Sequence, residues 1–300
     1  SIMVGKDYRV QLSIIVLFRV LKRYNYRVSK AWIHVIRLIL KLFEHGLIDP
    51  NLFEDFQKKL NYESLKRPVG EYQINKSHGS KDIGLFSTFS SYLKGLSDDS
   101  HEPTQSDINQ TNNCLEFIES TGVDTLLKQV TKTSNENLNK MVQILIALLP
   151  KKTKHNKRYF TEETLFLLEV ITCYLLITKN AKLIDDVLTK CDEIINSNEK
   201  DLKMSAVSRV LSYKLLLLQV TPVASTVLLT ETLVTIFELA SKSKDSFIAH
   251  GKCILYPLEQ LSLISESWCQ MEIINIPQFW NILRIYSSSS SMTLQVFSFI

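Results

Sequence analysis

The stretch that decides the fold is residues 5–56, which reads GKDYRVQLSIIVLFRVLKRYNYRVSKAWIHVIRLILKLFEHGLIDPNLFEDF. In its second half, apolar residues recur at the spacing of one helix face: Trp32, Val35, Ile36, Ile39, Leu40 and Phe43. Ser29 precedes them where a hydroxyl can accept from a free first-turn amide, and Gly46 follows as a C-terminal stop. The pattern predicts an amphipathic helix of about four turns.

The preceding segment shows the same periodicity. Its apolar positions are Val10, Ile14, Leu17, Phe18 and Leu21. The link over residues 24–28 is short enough to fold two helices back antiparallel. Because an isolated amphipathic helix is unstable in water, we expect the two apolar faces to cover each other.

The rest of the chain also favours helices, and its 8 Gly and 7 Pro are few for a β-sandwich. Apolar periodicity predicts helices over 114–130, 138–149, 161–178, 181–195, 201–220 and 224–240, with weaker ones at 247–264 and 279–285. Loops are predicted at 61–84 and 95–113. Helix pairs that recur at roughly 40 residues are typical of armadillo and HEAT arrays. We therefore expect an all-α solenoid of helical repeats, with a compact irregular helical bundle as the alternative.

The composition of the chain limits the kinds of site and the class of protein to expect. The chain has 300 residues and a net charge of +4. Its five scattered cysteines form no CxxC pair, which argues against a zinc site or a disulfide framework and favours a reducing cytosolic setting. The longest apolar run, residues 164–178, contains Glu169 and is shorter than the about 20 residues that a membrane helix needs. We expect neither a metal nor a cofactor.

Catalytic signatures are absent from the sequence. It contains no GxxxxGK[ST] or GxGxxG loop for a phosphate, no HExxH zinc motif and no GxSxG nucleophile elbow. Acidic pairs such as Glu162 with Glu163 are explained by the dipole at a helix start. An enzyme activity within this chain is therefore not expected.

Two basic clusters are candidates for binding. The first surrounds the first helix-to-helix turn and includes Lys22, Arg23, Arg27, Lys30, Arg37 and Lys41. Such cations suit anionic lipid head groups, although a solvated face is the alternative. The second lies in one loop and comprises Lys151, Lys152, Lys154, Lys157 and Arg158. It suits a phosphoinositide or an acidic partner, whereas nucleic acid is disfavoured because no aromatic residue is interleaved with the charge. A plain solvated loop is the main alternative.

Several segments resemble a known family. They are Gly5 to Leu12, Trp32, Leu40 to Ile48 with Pro50, Gly84 to Leu93, and the helices at 137–149 and 160–178. Together they resemble the region downstream of the catalytic domain in large Arf guanine-nucleotide exchange factors of the Golgi brefeldin-A-resistance (Gea) type. We take Trp32, Phe43 and Gly46 as the structural anchors of the first segment.

The resemblance implies two downstream homology regions built of helical repeats, residues 1–149 and 150–300. It also implies a regulatory and membrane-targeting role without exchange chemistry, in a cytoplasmic protein peripheral to Golgi membranes. The implied partners are anionic or phosphoinositide membranes, Golgi membrane proteins, and an Arf-family GTPase that would bind through a catalytic domain outside this sequence. The alternative function is an armadillo or HEAT scaffold that binds proteins and no lipid.

Overall fold

The computed structural model describes residues 7–24, 27–49, 52–53, 105–150, 162–196, 204–221, 226–242, 244, 248, 252–263 and 273–288. Eleven α-helices lie in this part of the chain: α1 (Tyr8–Arg23), α2 (Trp32–Glu44), α3 (Gln105–Thr121), α4 (Leu126–Val130), α5 (Asn135–Leu148), α6 (Glu162–Thr178), α7 (Ala181–Ile195), α8 (Met204–Gln219), α9 (Thr226–Lys242), α10 (Lys252–Leu263) and α11 (Pro277–Ser287). A single 3₁₀ turn, Val123–Thr125, joins α3 to α4. The described residues contain no strand, which confirms the all-α fold class.

Short polar side chains begin several of these helices. The Asp7 carboxylate accepts from the amides of Arg9 and Val10 at the start of α1. In the same way, the Asn180 side chain accepts from the Leu183 amide at the start of α7. Each of these bonds satisfies first-turn amides that have no partner within the helix.

The two ends of α2 differ in how well the sequence predicts them. Its C-terminus follows the prediction, because Gly46 has a φ of 66° and Leu47 N donates to Leu42 O at 2.8 Å, a Schellman ending. Its N-terminus does not, because α2 begins at Trp32 with no side-chain cap. Ser29 instead uses its backbone carbonyl, which accepts from Trp32 N at 3.0 Å. The expected N-cap role of Ser29 is therefore wrong.

Successive helices pack against the next helix and the next but one, as expected of a helical-repeat solenoid. Helix α5 packs on α6 and α7, α6 and α7 on α8, α8 on α9 and α10, and α9 on α11. Helices α6 and α8 lie inside this stack, and residues 164–175 and 206–218 are buried around their whole circumference. This stack is a helical-repeat arrangement, and it does not distinguish armadillo from HEAT repeats.

Packing of the first two helices differs from the prediction. Helix α1 lies mainly against α3, whereas α2 lies against α5 and α6, where Phe43 stacks on Phe166 with ring centroids 4.6 Å apart. Val10 was expected on the covered face of α1 but is exposed. The main packing partners of α1 and α2 are thus later helices rather than each other.

Helix α3 also departs from the prediction. It begins at Gln105, inside the loop predicted for 95–113. The prediction missed its first turns because they are polar and carry almost no apolar periodicity. The helix predicted over 114–130 is interrupted at Gly122, whose φ of 65° ends α3 before the 3₁₀ turn. The predicted loop at 61–84 and the boundary between regions at 149 and 150 stay predictions; residues 61–84 lie outside the described part.

Candidate functional site

An exposed apolar stripe runs along the outer side of α1. Tyr8, Leu12, Val16 and Val20 are spaced by four residues, and Tyr24 continues the series at the C-terminal end. Leu12, Val16 and Val20 are exposed by 47%, 51% and 45%. The opposite side of the helix is held in the core by Ile14 and Phe18. Helix α1 is thus apolar on two sides, and one of them faces solvent.

Positive charge is interleaved with this stripe. At about 100° per residue, Arg9, Arg19 and Arg23 fall within the same arc of the helix as Tyr8 to Val20. All three arginines are exposed, and α1 itself contains no acidic residue. The exposed side of α1, defined by Leu12, Val16 and Val20 with these arginines, is hereafter called the outer face. It is a helical surface of about 24 Å that combines apolar and cationic groups.

Lys22 has a different role from the one expected of it. Its Nζ donates to the carbonyl oxygen of Thr121 at 3.1 Å, across 99 positions of the sequence. Thr121 is the last residue of α3, where unpaired carbonyls and the helix dipole favour a cation. Lys22 therefore joins α1 to the C-terminus of α3, and its ammonium group is engaged within the protein.

Lys41 is also engaged. Its Nζ pairs with Glu44 Oε2 at 2.5 Å, and this hydrogen bond and the charge of Glu44 raise the pKa of Lys41. The pKa of Glu163 is raised by burial and by Glu44, and lowered to a lesser extent by Lys41. Lys41 thus pairs with a carboxylate at the junction of α2 and α6, while its side chain stays 70% exposed, and its role as a lipid ligand stays a prediction.

The remaining members of the first basic cluster face solvent. The side chains of Arg23, Arg27, Lys30 and Arg37 are exposed, on α1, on the link and on α2. The second cluster, residues 151–158, lies outside the described residues. All six residues predicted in the first cluster are thus exposed, and Lys22 and Lys41 also contact other groups of the protein; lipid binding by this cluster stays a prediction.

The structural anchors position the link between α1 and α2. Trp32 is 2% exposed, and its Nε1 donates to the carbonyl oxygen of Arg27 at 3.0 Å. Phe43 is buried at the other end of α2, next to the turn at Gly46. The backbone at Arg27 is thereby tied to the core while its side chain points outward.

A cleft of about 500 Å³ opens between α1 and α2. The residues that line it include apolar Leu17, Leu21, Trp32 and Val35, and also Arg27. The cleft exists because the two helices pack against different partners and leave their facing sides partly uncovered.

Sequence reasoning did not identify the outer face or the cleft. The outer face has a recognisable signal, since apolar residues at 8, 12, 16 and 20 form a second four-residue series beside the one that faces the core. Among the described residues, no group of three or more His, Cys, Asp or Glu side chains is placed to hold a metal ion. None of the described helices is long and apolar enough to cross a membrane.

Comparison with known proteins identifies the class to which this chain belongs. The chain is 33% identical over 218 residues to ARF guanine-nucleotide exchange factor 2 of Saccharomyces cerevisiae, an alignment that covers 71% of the chain. It is 29% identical over its whole length to ARF guanine-nucleotide exchange factor 1 of the same yeast. A Schizosaccharomyces pombe protein, the uncharacterized protein C211.03, is 29% identical over 49% of the chain. No family model matches.

These relatives show that the chain is homologous to a region of the large ARF guanine-nucleotide exchange factors. The aligned region spans 14% of the length of exchange factor 2 and 21% of that of exchange factor 1. The resemblance stated from the sequence is thereby confirmed.

Proposed function

We propose that this chain is a non-catalytic, regulatory and membrane-targeting region of a large Arf guanine-nucleotide exchange factor, and that its outer face binds anionic membrane. The observation that carries this proposal is the combination of exposed Leu12, Val16 and Val20 with exposed arginines on one side of α1. An amphipathic helix with these two components lies in the membrane interface, with its apolar residues at the acyl boundary.

Electrostatic attraction and apolar burial contribute together. Each Lys or Arg near an anionic leaflet is worth about 1 kcal/mol, so the three arginines of the outer face supply about 3 kcal/mol. Leu12, Val16 and Val20 are already about half buried, so covering the rest of each side chain adds about 1 kcal/mol. Long arginine side chains extend their guanidinium groups toward the head groups while their stems cover apolar surface. The sum gives reversible binding that weakens as salt screens the charges.

The biological setting is part of the same proposal, and it rests on the family resemblance of the sequence. The protein would act in the cytoplasm at the periphery of Golgi membranes, in vesicle-mediated protein transport. Its Arf-family GTPase would bind to a catalytic domain elsewhere in the full protein, and Golgi membrane proteins would add further contacts. This region would then hold the catalytic domain at the membrane surface where its GTPase acts.

Co-sedimentation with vesicles tests the proposal. The chain is mixed with vesicles of phosphatidylcholine alone, and with vesicles that also contain phosphatidylserine and a phosphoinositide. One variant replaces Arg9, Arg19 and Arg23 with Gln, and a second replaces Leu12, Val16 and Val20 with Gln. Glutamine is a good helix former, and Lys22 stays unchanged because it binds Thr121.

The matched control replaces three exposed lysines remote in sequence from α1, namely Lys132, Lys182 and Lys242, with Gln. The proposal predicts that the chain and the control sediment with anionic vesicles, whereas both outer-face variants stay in the supernatant with unchanged circular dichroism. Equal binding by the chain and the charge variant would refute the assignment of the outer face.

A protein-interaction scaffold is the second candidate function. It is favoured by the stacked helices, and by the contacts of Lys22 and Lys41 with other groups of the protein, which compete with lipid head groups for these two cations. If the chain sediments with none of the vesicles at low salt, the scaffold becomes the leading proposal.

A further inference from the structure

A row of cations lies along α2 on the side away from the core. His34, Arg37 and Lys41 follow one another at intervals of three and four residues, which places them within an arc of about 60° on the helix. Lys30 precedes them in the turn that leads into the helix, where its carbonyl oxygen accepts from Ile33 N at 3.2 Å. All four side chains are exposed. These four residues, hereafter the basic stripe, extend over about 16 Å.

The basic stripe differs from the outer face of α1 because it carries charge without apolar surface. The buried residues of α2, among them Trp32, Ile36 and Phe43, lie on the opposite side of the helix, toward α5 and α6. Among the described residues with large exposed apolar side chains, none belongs to α2. A helix binds in the membrane interface through an apolar face, so this side of α2 suits a partner that stays in water.

Charge on this side of α2 has one sign along most of its length. Glu44, the only acidic residue of α2, lies at the C-terminal end and pairs with Lys41 at 2.5 Å. Lys30, His34 and Arg37 therefore have no other carboxylate within their own helix. The partner of such a surface is an anion, and its negative groups must follow one another at the pitch of α2 to meet each cation.

A second α-helix has this pitch. Glutamates at intervals of four, three and four residues form a straight row as long as the basic stripe. Arg37 offers a carboxylate a planar fork of donors, and Lys41 is accessible to a second carboxylate because 70% of its side chain is exposed. Glu44 repels an acid placed beyond Lys41, which limits where the acidic row can end. The exposed residues of α2 include no Phe, Tyr or Trp ring on which the bases of a single-stranded nucleic acid would stack.

We propose that the basic stripe docks an acidic helix of a partner protein, which lies along α2 with one carboxylate facing each cation. Three members of the stripe, Lys30, Arg37 and Lys41, are residues that the sequence favours as lipid ligands, and the proposal gives them a protein partner. Each exposed pair contributes little, so binding depends on the whole row and weakens as salt screens the charges. This docking needs no membrane and no residue of the outer face.

Fluorescence anisotropy of synthetic helices tests the docking. The row peptide is a fluorescein-labelled helix of about 18 residues that carries four glutamates at intervals of four, three and four in an alanine and glutamine background. A hydrocarbon staple keeps it helical. The scrambled peptide has the same composition and staple, with its glutamates five residues apart, which spreads them around the helix. Both peptides are titrated with the chain at low salt, without vesicles.

Two variants of the chain locate the site. The stripe variant, Lys30→Gln with Arg37→Gln, removes two cations of the row, and the matched control, Lys132→Gln with Lys182→Gln, removes two exposed cations from elsewhere in the chain. We expect the chain and the control to bind the row peptide at least about fivefold more tightly than the scrambled peptide, and the stripe variant to lose this preference. Circular dichroism checks that each variant is folded.

A charge exchange tests the register. An Arg37→Glu chain should bind the original row peptide more weakly than the parent chain does. It should prefer a row peptide in which the second or the third glutamate is replaced by lysine, depending on the direction of the partner helix.

The inference is overturned if the two peptides bind equally, or if the control weakens binding of the row peptide as much as the stripe variant does. It is also overturned if inositol hexakisphosphate or a short DNA duplex displaces the row peptide at a lower concentration of negative charge than unlabelled row peptide does, because the stripe would then be a site for phosphate groups. These results are independent of the vesicle experiment, in which the outer-face variants keep the basic stripe intact.

Discussion

The ion pair between α6 and α8 gives the most quantitative prediction. Arg209 Nη2 lies 3.5 Å from Glu169 Oε2, and the Tyr213 hydroxyl donates to the same oxygen at 2.8 Å. Glu169 is 2% exposed and Arg209 7%. We predict that Glu169→Leu destabilises the protein by about 3–5 kcal/mol, because it removes the carboxylate that compensates a buried guanidinium.

The double variant separates the charge effect from packing. Glu169→Leu combined with Arg209→Leu replaces the ion pair by apolar groups, so that no buried charge is left without its partner, although the Tyr213 hydroxyl still loses this acceptor. We therefore expect the double variant to be more stable than Glu169→Leu alone by at least about 2 kcal/mol. Tyr213→Phe, which removes one hydrogen bond to a charged acceptor, should cost about 1.5–3 kcal/mol.

Urea unfolding monitored by circular dichroism measures these free energies, with equal m-values as the check that the same transition is compared. The reasoning is refuted if Glu169→Leu lowers the free energy of unfolding by less than about 1 kcal/mol. It is also refuted if the double variant loses as much stability as Glu169→Leu and Arg209→Leu lose together when each is measured alone. Either result would mean that the pair is solvated and contributes no coupling between α6 and α8.

Two other predictions concern local features. Gly46→Ala should lower the free energy of unfolding by about 1 kcal/mol, because the φ of 66° at the end of α2 disfavours a Cβ; urea unfolding beside an Ala substitution at exposed Lys182 measures this, and equal stabilities would contradict it. Burial raises the pKa of Cys191 to about 12, so its thiol is protonated at pH 8. In a Cys253→Ser, Cys269→Ser variant, Ellman's reagent should therefore react only after denaturant is added. Reaction of the native protein within minutes would show that this core opens.

Periodicity in the sequence predicted much of the helical fold. Helix α7 lies where its apolar spacing places it, and α6, α8 and α9 begin and end within a few residues of the predicted bounds. These helices have strong apolar patterns and polar residues or Pro between them, so local signals suffice. Helix α3 begins in a polar stretch and lacks such a pattern, which explains why its first turns were predicted as a loop.

Partners of the helices could not be predicted in the same way. The contact of Lys22 with Thr121 joins residues 99 positions apart, and nothing in the local sequence distinguishes this lysine from neighbouring Arg23 as the one that caps α3. The same limit applies to the outer face, since a helix with two apolar series leaves open which one is buried. Tertiary packing decides both, and it also opens the cleft.

Membrane dependence of nucleotide exchange tests the central proposal most directly. The Arg9, Arg19, Arg23→Gln set is introduced into the full exchange factor, beside the Lys132, Lys182, Lys242→Gln control, and exchange on an Arf-family GTPase is measured with and without anionic vesicles. We predict that the outer-face variant exchanges nucleotide normally in solution and loses the stimulation by vesicles that the control keeps. Equal stimulation of both proteins would contradict the account.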